Sequence, residues 1–124
     1  MTEQTNLDNN FRTTGAKLGS LDKYGVATHD LEYIKALLAS GKYFITVDAH
    51  KGATRLGYTT EENIIERILN VIPNQIYKTM PAQKAPLGTM QDVYHCPEED
   101  GTEIYLKLQI SHFGDSVVVS FKPK

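Results

Sequence analysis

The sequence is poor in the residues that mark several common protein classes. Cysteine occurs once, as Cys96, in a chain of 124 residues. A single thiol excludes an internal disulfide framework and a zinc site built from several cysteines. No apolar run approaches the roughly 18–20 residues that a membrane span requires. The first residues, MTEQTNLDNN, contain neither a basic nor an apolar stretch and predict no secretory signal. We therefore expect a cytoplasmic protein.

Motifs that bind metals or nucleotides are also missing. The histidines have neither the His-x-x-x-His nor the His/Cys spacing of a metal site; they are His29, His50, His95 and His112. The glycines match no phosphate loop and no dinucleotide motif. Ser111, His112 and Asp115 are neighbours in one turn and lack the context of a nucleophile elbow. The sequence therefore predicts no metal, no cofactor and no hydrolase triad.

Charge and size set further limits. The chain carries 13 Lys and Arg against 15 Asp and Glu, a formal net charge of −2. Its bulk charge gives no sign of nucleic-acid binding, so any such site must be a local patch. Hydrophobic residues make up 40% and charged residues 23% of the sequence, as in ordinary globular proteins. The length suits one domain with a single modest core.

The polar residues 1–25 predict a flexible N-terminal extension followed by one folded domain, 26–124. An arm that becomes ordered on a partner is the alternative. In the folded part, Thr28 is the predicted N-cap of a helix that ends at Gly41. Its apolar stripe consists of Leu31, Ile34, Leu37 and Leu38. Thr59 and Glu62 have capping-box spacing and predict a second helix, which ends before Pro73.

Strand signals are concentrated in the C-terminal part. Residues 90–96, 102–111 and 116–122 predict three strands, joined by turns at Asp100-Gly101 and at Gly114. Such short connections favour an antiparallel meander. A short strand is also predicted at 43–47, and the residues that follow it fit either a loop or a loose helix.

The strand 102–111 has one polar and one apolar face. Side chains alternate along a strand, so Tyr105, Lys107 and Gln109 share the polar face. The opposite face carries Ile104, Leu106, Leu108 and Ile110. We expect the apolar face to pack against the helices and the polar face to be open.

In the last strand, the same alternation places Lys122 on the open face with Tyr105. The predicted sets are Val117, Val119 and Phe121 against the helices, and Val118, Ser120 and Lys122 opposite. The strand 90–96 alternates less clearly, so its pattern does not assign a face to Gln91. Tyr and Lys are common on the solvated side of antiparallel sheets, and a terminal lysine also discourages edge pairing. Alternation alone therefore favours a solvated face over a site.

The order of short motifs resembles one protein family. Lys78 lies in YKTM, Gln91 in QDVY, Tyr105 in YLK and Lys122 in SFK. Together these motifs resemble the MqsR family of bacterial type II toxins over about residues 28–124. The resemblance implies an α+β, RelE-like microbial RNase fold, in which a C-terminal antiparallel meander packs against N-terminal helices. It also implies a ribosome-independent endoribonuclease that cleaves single-stranded mRNA.

The resemblance implies catalytic roles for Lys78, Gln91, Tyr105 and Lys122. Cleavage by the 2′-hydroxyl needs proton transfer and stabilisation of charge on the phosphorane. We expect Tyr105 to transfer a proton, with a pKa that neighbouring lysines lower from about 10. Lys78 and Lys122 would stabilise the phosphate, and Gln91 would position it or a base edge.

Three further residues, Tyr77, Tyr94 and Lys107, are predicted to bind RNA by stacking and by steering its backbone. The resemblance also implies a cognate antitoxin with a zinc-binding N-terminal domain and a helix-turn-helix C-terminal domain, so that DNA is bound only through that partner. Two alternatives are a non-catalytic α+β module that binds RNA or protein, and another metal-free nuclease or phosphate-binding enzyme on a similar sheet.

Overall fold

The fold consists of three helices and six strands within residues 21–84 and 88–124, the part of the chain that the computed structural model describes. The strands are β1 (Lys23–Tyr24), β2 (Tyr43–Ile45), β3 (Ile76–Pro81), β4 (Met90–Pro97), β5 (Glu103–Ile110) and β6 (Ser116–Pro123). The helices are α1 (Leu31–Ala39), α2 (Val47–Arg55) and α3 (Glu61–Leu69), with a 3₁₀ turn at Pro73–Gln75. The predicted α+β class is confirmed.

All six strands form one sheet in the order β1-β3-β4-β5-β6-β2. The predicted meander is present as β4, β5 and β6, and β3 extends it by one more antiparallel strand. At the far edge, β2 joins β6 in parallel. The two edge strands, β1 and β2, are also the shortest of the sheet, with two and three residues.

The chain before α1 is attached to the centre of the sheet. The Asp30 side chain caps α1 by accepting a backbone N–H of its first turn, so the prediction of Thr28 as N-cap was wrong. The backbone N–H of Thr28 instead donates to Asp92 at 2.9 Å, and that of His29 donates to the other oxygen of Asp92 at 2.8 Å. The helix is followed by Gly41 with a φ of 82°, as predicted.

The stretch after β2 that the sequence left ambiguous forms α2. Thr46 caps this helix, and its hydroxyl also donates to the Val119 carbonyl at 2.8 Å, which ties the helix start to β6. The N-cap of α3 is Thr60, whose hydroxyl accepts the Asn63 N–H at 3.1 Å. The predicted capping box at Thr59 was therefore one residue too early.

The helices pack on one face of the sheet and enclose a single apolar core. Buried core residues come from all three helices, from the loop after α3 and from β2, β4, β5 and β6: Leu31, Ile34, Leu38, Ile45, Ala49, Ala53, Ile64, Ile68, Val71, Tyr94, Cys96, Ile104, Leu106, Leu108, Val118 and Phe121. The predicted faces of β5 are confirmed, since its buried residues alternate with partly exposed Tyr105, Lys107 and Gln109.

A bulge in β6 interrupts the expected alternation. Leu106 pairs with Phe121 and Leu108 pairs with Val118, so the single β5 residue between them opposes two residues of β6. Val118 is fully buried, and the prediction that placed it on the open face was wrong. Val117 and Val119, which were predicted to pack against the helices, are only partly buried. Beyond the bulge, Lys122 returns to the open face as predicted.

Gly52 allows α2 to lie very close to β6. A Cβ atom at this position would clash with the Phe121 carbonyl oxygen and would lie 2.6 Å from the Lys122 Cβ. On the same helix, Ala49 and Ala53 are fully buried. Small side chains therefore fix α2 against the part of β6 that carries Lys122.

The sheet begins before the predicted domain boundary. Lys23 and Tyr24 pair with Thr79 and Lys78 of β3, and the Gly25 N–H donates to a β3 carbonyl. Lys23, Tyr24 and Gly25, which the sequence assigned to the extension, are thus joined to the sheet. The rest of the predicted extension, 1–20, lies outside the described residues. Within the described ranges, no helix is long and apolar enough to cross a membrane.

Candidate active site

Three polar side chains form a row across the open face of the sheet. Tyr105 in β5 pairs with His95 in β4 on one side and with Lys122 in β6 on the other. The Lys122 Nζ lies 5.1 Å from the centre of the Tyr105 ring, and the Lys107 Nζ lies 5.8 Å from it. The phenol is therefore flanked by two ammonium groups and faces an imidazole.

Burial has the largest effect on the ionisation of Tyr105. Its partly buried position raises the pKa of the phenol; the charge of Lys78 lowers it in part, while Asp22 and Tyr77 add to the increase. The expectation that lysines lower this pKa overall was wrong, because desolvation of the phenolate outweighs their attraction. At neutral pH the Tyr105 hydroxyl is protonated, so the group is a proton donor.

Lys78 is held by an acidic residue from the segment before β1. Its Nζ lies 2.8 Å from the Asp22 carboxylate, and the two side chains are only 18% and 13% exposed. This hydrogen bond raises the pKa of Lys78. The same ammonium lies 5.6 Å from the Tyr24 ring and 5.8 Å from the Tyr77 ring. Lys78 is thus fixed on the open face with its charge balanced by Asp22.

His95 is a site residue that sequence reasoning missed. Its ring stacks on Tyr77, with centroids 4.1 Å apart and planes 19° apart, and its centroid lies 6.1 Å from that of Tyr105. The turn signal at Asp100-Gly101 does not find it, because a two-residue turn there would pair residue 95 with residue 106. The observed hairpin is centred on Asp100, since Pro97 pairs with Glu103, and this register matches His95 with Tyr105.

Gln91 lies on the same face of the sheet, apart from the row of His95, Tyr105 and Lys122. Gln91 lies four residues from His95, or roughly 13 Å along an extended strand. Its side chain is on the open face, where the amide nitrogen donates to Gln109 at 2.7 Å. The residue is only 8% exposed. Gln91 is therefore separated from Tyr105 and Lys122 along β4, whereas Lys78 pairs with Val93, two residues from Gln91.

Of the predicted RNA-binding residues, Tyr94 is in the wrong place. It pairs with Leu106 and is 1% exposed in the core, so its ring has no surface on which a base could stack. Tyr77 is 40% exposed on the open face. Lys107 is half-buried there, and burial together with the charges of Lys122 and Lys78 lowers its pKa.

A family model described as "Motility quorum-sensing regulator, toxin of MqsA" matches residues 26–123. The chain belongs to the MqsR toxin family. Among curated proteins, no match to the chain was found.

The MqsR match has two consequences for the site. It covers all three helices and β2–β6, and therefore the residues Lys78, His95, Tyr105 and Lys122. It begins after Asp22 and β1, so the carboxylate that holds Lys78 comes from outside the matched region. The family description also names the toxin's counterpart, which identifies an antitoxin as the expected class of partner.

In this MqsR-family domain the open face continues beyond Lys122 to α2. Asp48, Lys51, Arg55, Ser120 and Lys122 line a cleft of about 230 Å³. The α2 cations Lys51 and Arg55 are exposed. Sequence reasoning missed them because only the close packing at Gly52 brings α2 beside Lys122. Within residues 21–84 and 88–124, no group of three His, Cys, Asp or Glu side chains is arranged to hold a metal ion.

Proposed function

We propose that this MqsR-family toxin is an endoribonuclease that cleaves single-stranded mRNA without the ribosome and without a metal ion, on a RelE-like fold. The observation that carries the proposal is the position of Tyr105 between the ammonium groups of Lys107 and Lys122. A protonated phenol beside fixed cations suits the cleavage of a phosphodiester, because it combines a proton donor with stabilisation of the charge on phosphorus.

In the proposed reaction the ribose 2′-oxygen attacks the adjacent phosphorus, and the bond from phosphorus to the 5′-oxygen breaks. Lys122 and Lys78 stabilise the negative charge of the phosphorane, each contributing about 3–4 kcal/mol if it acts like other donors to a developing oxyanion. For Lys78 this requires an exchange of its Asp22 partner for a phosphate oxygen. Tyr105 donates its proton to the departing 5′-oxygen. The products carry a 2′,3′-cyclic phosphate and a 5′-hydroxyl.

The RNA would lie along the open face of the sheet. Single-stranded RNA fits, because its bases can be splayed onto aromatic rings and its 2′-hydroxyl is the nucleophile. Tyr77 is the exposed ring beside the row and would stack a base. Lys107 would contact the phosphate backbone. Gln91 lies roughly 13 Å from the row by strand geometry, so its partner would be a neighbouring nucleotide rather than the phosphate that is cleaved.

The partner of the toxin would be an antitoxin with a zinc-binding N-terminal domain and a helix-turn-helix C-terminal domain, which would carry the DNA binding. Addition of an antitoxin strand to a sheet edge is one way to dock. The edges formed by β1 and β2 offer only two and three residues for pairing. Short edge strands limit such pairing, so side-chain contacts would have to provide most of the affinity.

The test is RNA cleavage by purified protein in the presence of EDTA. We expect the wild-type protein to cut a single-stranded RNA, and Tyr105→Phe to be slower by about 10²- to 10⁴-fold, the usual contribution of one proton-transfer group. Tyr33→Phe changes another partly exposed tyrosine, on α1, and should keep the wild-type rate. Equal rates for wild type and Tyr105→Phe would contradict the role of Tyr105. Binding of RNA without any cleavage would favour the non-catalytic module.

A further inference from the structure

We propose that His95 is a catalytic residue of this centre and is the base that accepts the proton of the attacking 2′-hydroxyl. The inference rests on the proposed RNA cleavage and deepens it, because Tyr105 as a protonated donor supplies only one of the two proton transfers that the reaction needs. Neither the family description nor the motif resemblance assigns a role to a histidine.

Geometry is the first argument. His95 is the cross-strand partner of Tyr105, and Tyr105 is the partner of Lys122. The row thus places a second titratable ring on one side of the phenol and a phosphate-binding cation on the other. The other histidines in the described ranges lie away from this row, in the loop before α1, on α2 and in the β5–β6 turn.

Orientation is the second argument. The imidazole lies almost parallel to the Tyr77 ring at 4.1 Å, so the stack fixes the plane of the imidazole while its edge stays on the open face. The ring is partly exposed, and a nucleotide on that face can therefore reach it. A base stacked beside Tyr77 would bring its ribose next to His95.

The protonation state is the third argument. Burial lowers the pKa of His95; Lys124 and Lys78 lower it further, and Glu103 opposes them. The groups near the imidazole are Tyr77 and Lys78 from β3, Glu103 and Tyr105 from β5, and Lys124 directly after β6. The ordinary pKa of histidine is about 6.5, so the lowered value leaves the ring neutral at pH 7 and able to accept a proton.

Lys107 is the competing base on the same face, since its pKa is also lowered. An ordinary lysine titrates about four pH units above histidine, so a lowered lysine pKa leaves the amine mostly charged at pH 7 unless the shift is very large. A charged ammonium has no lone pair to accept a proton. The neutral imidazole of His95 has such a lone pair before the reaction begins.

Protons and electron pairs balance over the complete cleavage reaction. The 2′-hydroxyl loses its proton to an imidazole nitrogen as the bond from its oxygen to phosphorus forms. The bond to the 5′-oxygen breaks, its electron pair stays on that oxygen, and the Tyr105 phenol supplies the proton. His95 is then cationic and Tyr105 anionic, and one proton passing from the imidazolium to the phenolate through water restores both groups.

The experiment compares pH–rate profiles of single-turnover RNA cleavage for wild type, His95→Phe, His95→Gln and His112→Gln. Phenylalanine keeps a ring against Tyr77 but cannot accept a proton, whereas glutamine keeps a polar group that does not titrate. We expect both His95 variants to be slower by about 10²- to 10⁴-fold at pH 7. The wild-type rate should fall as the pH drops below the lowered pKa of His95, and this acidic limb should be absent from both variants.

His112 lies exposed in the β5–β6 turn, so His112→Gln should retain both the rate and the acidic limb. Thermal melting of each variant and its affinity for RNA containing a 2′-deoxynucleotide at the cleaved position separate a loss of fold or binding from a loss of catalysis. If wild type cleaves RNA and a folded His95 variant keeps its rate, or is slower but keeps the acidic limb, the role of His95 is overturned while the proposed function stands. If wild type leaves RNA intact, both are overturned.

Discussion

At the scale of single residues, the pair formed by Asp22 and Lys78 has the most direct consequence for RNA binding. The carboxylate occupies the position beside the Lys78 Nζ that a phosphate oxygen would take. It also places a negative charge on the face where a polyanion is proposed to bind. Asp22 would therefore compete with the proposed RNA substrate for Lys78.

Asp22→Asn is expected to strengthen the binding of single-stranded RNA by about two- to five-fold, because a partly exposed ion pair contributes up to about 1 kcal/mol. The measurement is the dissociation constant for a labelled RNA, made in the Tyr105→Phe background so that the RNA stays intact. Asp115→Asn makes the same substitution at an exposed position in the β5–β6 turn and should have no effect. Weaker binding by Asp22→Asn would mean that the carboxylate orients Lys78 for the phosphate.

At the scale of helices and strands, the contact between α2 and β6 positions both Lys122 and the α2 cations. We expect Gly52→Ala to lower the free energy of unfolding by about 1–3 kcal/mol, because the new methyl group would overlap the β6 backbone and push the helix away. Urea denaturation measures this change. Thr54→Ala alters an exposed position of the same helix and should change stability by less than about 0.5 kcal/mol. If the Gly52→Ala variant is as stable as the wild-type protein, or more stable, the contact between α2 and β6 is not tightly packed.

The regularity of each strand decided whether sequence patterns predicted its buried and open faces correctly. Alternation predicted both faces of β5, because that strand is regular over its whole length. It was wrong for Val118 in β6, because a bulge changes the alternation and depends on the pairing of two strands rather than on any one residue type. Burial also could not be read from local pattern, so the core position of Tyr94 and the raised pKa of Tyr105 were both missed.

Most of the other site residues that sequence patterns did not predict are positioned by pairing between distant parts of the chain. The two-residue strand β1 has no periodic signal of its own, since Lys23 and Tyr24 are extended only through their pairing with β3. Asp22 reaches Lys78 across 56 positions of sequence, and nothing in the local sequence indicates that contact. The position of His95 also depends on the observed pairing, because a two-residue turn at Asp100-Gly101 would have placed it opposite Leu106 rather than Tyr105.

At the scale of the whole molecule, the distribution of charge matters more than its sum. The net charge is −2, yet the open face carries Lys78, Lys107 and Lys122, and α2 adds two further cations at its edge. Repulsion between the chain and RNA is thereby offset where the RNA is proposed to lie. Binding should consequently depend on salt through a few local phosphate contacts.

The predicted quantity is the slope of the logarithm of the RNA association constant against the logarithm of the salt concentration. Three phosphate contacts by the lysines of the open face give a slope of about −2, since each contact with a single strand contributes about −0.7. Lys122→Gln should make the slope shallower by about 0.7. Lys42→Gln, in the exposed loop before β2, should leave it unchanged. A slope near zero for the wild-type protein would contradict an electrostatic RNA face.

The most direct test of the central claim, that the open face of the sheet is an RNase centre, is the chemical identity of the cleaved ends. Mass spectrometry of a single-stranded RNA treated with the purified protein in EDTA should find a 2′,3′-cyclic phosphate on one product and a 5′-hydroxyl on the other. A 2′-deoxynucleotide at the cleaved position should prevent cleavage there. Products with a 3′-hydroxyl and a 5′-phosphate, or unchanged cleavage of the 2′-deoxy substrate, would contradict the account.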